Sequence, residues 1–157
     1  GLTDMHREFA YGMHNNYPEG PAYPIRSITD GEWRYILNLT PVRFYIEKHL
    51  MGRNEHNPYW QTWVWDSAQS RATYALVQRY MHRPAEALYH TAADSYEFEN
   101  LANTDSVKAI QKELSEELDR WLDSQGDPGV EQDTERSHQA AKRGEHRFGP
   151  TQPSPKR

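Results

Sequence analysis

Cysteine is absent from the 157 residues, which removes disulfides, thiolate metal sites and cysteine nucleophiles together. The redox compartment stays open, because a chain without cysteine suits either side of a membrane. Apolar residues are scarce, at 36% of the chain with a mean hydropathy of -1.04, so part of the sequence is expected to join no core. No apolar run approaches the length of a membrane span, and the opening residues lack the basic-then-apolar pattern of a signal segment. Basic charge is also in deficit. Eighteen Lys and Arg against 23 Asp and Glu give a net charge of -5, the wrong balance for a general nucleic-acid binder. The opening Gly1-Leu2-Thr3, without Met, is the start expected of a fragment or processed product.

Aromatic residues are plentiful. Five Trp and ten Tyr in so polar a chain point to a packed aromatic core, a carbohydrate-facing surface, or both. The length suits one domain that hides roughly two-thirds of its unfolded surface.

Arg7 to His14 alternates, with Arg7, Phe9, Tyr11 and Met13 on one side, and reads as a strand. Asn15 to Pro24 is a loop by its Asn, Gly and Pro content. Asp30-Gly31 separates two strand-like arms, 23–29 and 32–39, and predicts a hairpin with a type I′ turn. Trp33, Tyr35, Leu37 and Leu39 share one face of the second arm. Residues 42–51 suit a short helix or a strand with a loop, and Asn54 to Pro58 a turn. Ser67 to Met81 reads as a helix that Pro84 stops. A long helix follows Thr104 or Asp105, either of which can cap it. Its apolar stripe is Val107, Ile110, Leu114, Leu118 and Trp121, a Glu116–Arg120 pair supports it, and Gly126 and Pro128 stop it. From about residue 131 the chain is charged and nearly devoid of apolar residues, and 131–157 are expected to be a disordered tail. The fold class is α+β: a small antiparallel sheet of about four strands with packed helices.

Two segments carry a family likeness. Residues 86–101 read EALYHTAADSYEFENL, and Asn100-Leu101-Ala102 leads into the long helix. That order resembles the closing signature of the sulfatase family: Glu-Leu-Tyr-Asp, a spacer, Asp-Pro-x-Glu, Asn-Leu-Ala. Ala87 stands in place of the usual Glu, His90 of Asp and Ser95 of Pro. Residues 14–39 are similar to a region of heparan N-sulfatases (sulfamidases) and their bacterial relatives. There a histidine-bearing loop leads into Tyr-Pro-x-Arg (Tyr23-Pro24-Ile25-Arg26), then a hairpin with aromatic-Arg-aromatic (Trp33-Arg34-Tyr35) ending at Asn38-Leu39.

The resemblance implies a sulfohydrolase of sulfated sugars such as glycosaminoglycans, in a periplasmic, secreted or lysosomal setting. Residues 1–20 would be the last strand and loop of its catalytic domain, and 21–130 its C-terminal α+β subdomain. In that family a Cys or Ser in Cys-x-Pro/Ala-x-Arg becomes formylglycine, whose hydrate attacks sulfur beside a calcium ion. Neither that motif nor a convincing metal-ligand spacing occurs here, so the chain alone is expected to be inactive. Formylglycine and calcium would come from a catalytic domain, the expected partner, and the other partner would be the sulfated saccharide; no nucleic acid or membrane is expected.

The candidate substrate contacts are His14, Asn15, Asn16 and Arg26. A histidine offers a donor to a hydroxyl or sulfate, amides read hydroxyls in both directions, and a guanidinium grips sulfate or carboxylate. Each has a plainer role: Asn15 and Asn16 as turn formers, and Arg26 paired with Glu32 or Glu19. Arg34 reads as a solvated or paired strand residue. Trp60, Trp63 and Trp65 suit stacking on sugar rings or, as the better reading, core and interface packing. The alternative function is a non-catalytic polysaccharide-binding or interaction module.

Overall fold

A computed structural model describes residues 7–16, 20–47, 51 and 59–143. Four strands form one antiparallel sheet in the order β1-β2-β3-β4: β1 Ala10–His14, β2 Ile25–Thr29, β3 Trp33–Asn38 and β4 Glu86–His90. The helices are α1 Tyr59–Ser67, α2 Arg71–Met81, α3 Lys108–Gln125 and α4 Glu135–Lys142. The α+β class and the four-stranded sheet are therefore as expected. No helix among the described residues is long and apolar enough to cross a membrane.

The pleat sorts side chains into two faces. Ile28, Tyr35 and Leu88 are neighbours across the ladder, and all three are buried against Leu114 and Leu118 of α3. Phe9, Tyr11, Trp33 and Leu37 pack around that cluster. Tyr11 lies flat on Trp121, with ring centroids 4.5 Å apart. The stripe on α3 thus meets the alternating face of the strands, and apolar burial on both sides makes the core. Glu86 adds a polar rivet, accepting from Tyr35 Oη at 2.8 Å and from Gln111 Nε2 at 2.7 Å.

The Asp30-Gly31 hairpin forms, but with a different turn. Only Gly31 takes a positive φ, 97°, whereas type I′ needs two. Asp30 Oδ1 accepts from the Glu32 and Trp33 amides at 2.8 and 2.7 Å, and this side-chain turn replaces the tight one. At the other edge, Asn100 covers β4. Its Oδ1 accepts from Leu88 N at 2.9 Å, and Leu101 N donates to Leu88 O.

Several local expectations are corrected. The helical region begins at Tyr59, before Ser67, and breaks after Ser67; Ser70 Oγ then caps α2 through Thr73 N at 3.1 Å. A 3-10 turn, Asp105–Val107, precedes α3, and Thr104 starts that turn without a side-chain cap. Arg120 pairs with Glu117 at 2.5 Å in place of Glu116, because the Tyr11 hydroxyl already fixes Glu117 at 2.7 Å. Burial, with that bond, raises the Tyr11 pKa to about 12. Gly126 ends α3 as expected, at φ 65°, with Asp127 N returning to Leu122 O.

β1 pairs with β2 along all five residues, from Ala10↔Thr29 to His14↔Ile25, and so joins the sheet of the described residues. The tail expected from residue 131 starts with ordered chain: a 3-10 turn, Gly129–Gln132, leads into α4, and Asp133 and His138 are buried. Polar anchors hold this segment where apolar residues are few. Residues 144–157, the rest of the expected tail, lie outside the described residues, as does the turn expected at Asn54 to Pro58.

Candidate functional site

His14, Asn15, Asn16 and Arg26 do come together at one end of the sheet, because His14 pairs with Ile25 and Met13 with Arg26. Their surroundings differ sharply. Arg26 is fully buried, and Asp127, just past α3, grips it with both oxygens: Nε–Oδ2 at 2.7 Å and Nη2–Oδ1 at 2.8 Å. Nη1 donates to Asn15 Oδ1 at 3.0 Å and Ile25 O at 2.9 Å. The guanidinium is thus committed to protein acceptors, and its ion pair is neither of those expected. Glu32 instead meets His90 at 3.0 Å, and Glu19 lies outside the described residues. Arg26 in turn holds the Asp127 carboxyl below its ordinary pKa.

Asn16 is buried as well. Its amide N–H and that of Tyr23 both donate to Asp133 Oδ2 at 2.7 Å. Its Nδ2 donates to Pro21 O at 2.7 Å and Ile46 O at 2.6 Å. Asp127 and Asp133 together fasten the start of the segment after α3 to both sides of the loop following β1. Asn15 is half-buried as the partner of Arg26. His14 alone of the four is exposed, its ring 6.1 Å from that of Tyr45. Partial desolvation lowers its pKa, against an opposing pull from Asp133. Of the four candidates, then, His14 has the exposed side chain, Asn15 is half-buried, and Asn16 and Arg26 are buried.

A second concavity lies on the sheet face turned away from α3. A groove of about 910 Å³ separates α2 from β3, β4 and the 96–100 segment. Trp63, Leu76, Tyr80, Tyr89, Tyr96 and Phe98 line it. Trp60 is buried against Tyr80 at 5.5 Å, as core packing predicts, Trp63 forms part of the groove wall, and Trp65 is 77% exposed. Arg83 lies 3.9 Å from the Tyr45 ring centroid and lines the groove. Arg79 sits over Phe98 at 5.3 Å and donates to the Phe98 and Glu97 carbonyls. Arg34 pairs with Glu97 at 2.6 Å, the paired role read for it. Asn38 is 4% exposed at the groove. The contribution of Arg83, Asn38 and Tyr89 to one cavity had no signal in local spacing, since β3, α2 and β4 meet only in three dimensions.

Among the described residues no group of three or more His, Cys, Asp or Glu is placed to hold a metal ion.

No protein-family model matches the chain. Two curated proteins of Formosa agariphila, each named an ulvan-active sulfatase, are similar to it. One is 25% identical over 121 residues, covering 76% of this chain and 22% of its own length. The other is 31% identical over 104 residues, covering 66% of this chain and 17% of its own length. The chain therefore resembles part of a sulfatase and spans about a fifth of the length of these relatives.

Proposed function

We propose that this chain is the C-terminal part of a sulfatase acting on sulfated sugars, and that it helps to shape the substrate pocket. The likeness to two sulfatases carries this reading. The order of the 14–39 and 86–102 motifs supports it, as does the way their residues share one sheet. The reacting groups would belong to a separate catalytic domain, which would supply the formylglycine nucleophile and calcium; the isolated chain hydrolyses nothing. His14 is the contact residue in this scheme. Poised on the platform of Asn15, Asn16 and Arg26, its imidazole donates a hydrogen bond to a sulfate or hydroxyl oxygen.

The finer assignment, to the heparan N-sulfatase branch, rests on Tyr23-Pro24-Ile25-Arg26 and Trp33-Arg34-Tyr35, whereas the relatives' names point to ulvan. Sulfate release by the longer protein decides both matters. With O-sulfated and N-sulfated oligosaccharides as alternative substrates, His14→Ala is expected to raise KM by about tenfold, the loss of one hydrogen bond to a charged group, with kcat nearly unchanged. No sulfate release from any substrate would overturn the sulfatase reading, and unaltered kinetics in His14→Ala would overturn the role of His14.

A further inference from the structure

We propose that the groove between α2 and the β3–β4 face binds a sugar ring of an acidic polysaccharide. This inference does not rest on the sulfatase reading. Its volume, about 910 Å³, falls within the ~300–1,000 Å³ range of ligand clefts. Tyr96 and Phe98 are 81% and 61% exposed, and Trp63 and Tyr89 also border the same space. Flat aromatic faces suit the C–H side of a pyranose.

Arg83, spread over the Tyr45 and Tyr80 rings at 3.9 and 5.4 Å, offers planar N–H groups that match a sulfate or carboxylate.

The charged lining also decides between occupants. Asp66, Arg79 and Glu97 at the groove bond to Thr73, to the Glu97 and Phe98 carbonyls and to Arg34, and an apolar protein segment laid over them and over Arg83 would strip their remaining water contacts. A hydroxyl-rich ring leaves them hydrogen-bonded.

The test is a calorimetric and tryptophan-fluorescence titration of the 157-residue chain with three tetrasaccharides: sulfated dextran, hyaluronan and unmodified dextran. Saturable binding is expected for the first two, about tenfold tighter than for the neutral sugar; the stronger of the two identifies sulfate or carboxylate as the preferred acid. Arg83→Gln is expected to abolish that preference. Trp63→Ala and Tyr96→Ala are each expected to weaken binding about tenfold, and Trp65→Ala, off the groove, to leave it unchanged. Tyr96 is so exposed that its removal leaves the fold intact and keeps the test decisive if Trp63→Ala fails to fold. Absence of saturable binding, or binding indifferent to Tyr96→Ala, overturns the proposal. So does protection of α2 and 96–100 by protein alone in the longer protein, which would assign the groove to a polypeptide. Sulfate release by the longer protein alongside no saccharide binding here would sink this inference and leave the sulfatase reading standing.

Discussion

The two faces of the sheet are built on opposite plans. Toward α3 the strands present Ile28, Tyr35 and Leu88, which close with Leu114 and Leu118 into a cluster of five buried residues. Toward α2 the same strands present Ile36, Asn38, Ala87 and Tyr89 beside an open groove, where large rings stay exposed. One face holds the fold; on the other Asn38, Ala87 and Tyr89 are buried too, and the rings that stay exposed belong to Trp63, Tyr96 and Phe98 along the groove. The polar latch at the sheet end belongs with the first, since Arg26, Asp127 and Asp133 connect the segment after α3 to β2 and the loop after β1.

The sharpest way to break that contrast is at the latch. Asp127→Ala strands the Arg26 cation in the interior and is expected to cost about 3–5 kcal/mol, read by urea unfolding. The same pair sets an acid response. Arg26 lowers the Asp127 pKa from its ordinary 3.8, so its contribution is complete above that value and is lost as pH falls through the lower, folded value. Unfolding curves between pH 6 and 2 should show that loss in the native chain and not in Asp127→Asn.

The next effect compares leucines on the two faces. Leu118→Ala, at a fully buried position, is expected to cost about 2–5 kcal/mol. Leu76→Ala in the groove, 54% exposed, should stay within about 0.5 kcal/mol. Equal costs would erase the distinction between core and open face. A smaller effect lies at the end of α3. Gly126→Ala, at φ 65°, places a Cβ in the left-handed region and is expected to cost about 1–2 kcal/mol, seen as a lower thermal midpoint.

Local pattern explains which features could be read in advance. The α3 stripe, the Gly126 stop and the alternation of Phe9 and Tyr11 follow from periodicity, and the structure realises each. α1 was missed because Trp60, Trp63, Val64 and Trp65 mark no single face; only Trp60 is buried. The segment 129–143 was missed because it is anchored by polar groups, which leave no apolar trace in composition. Arg26 shows the same limit at the site. Its partner lies 101 residues away, beyond any argument from nearby carboxylates, whereas the position of His14 at a strand end before a loop is visible in the sequence.

Amide hydrogen exchange on the isolated chain tests the two-faced design most directly, because it reads both sides of the sheet in one experiment. Amides of β2, β3, β4 and α3 should exchange only through global unfolding, whereas α1, α2 and 96–100 should exchange through local opening and slow when the sulfated tetrasaccharide is added. Equal protection of α2 and α3 without saccharide, or no slowing with it, would contradict the division of the sheet into a closed face and a binding face.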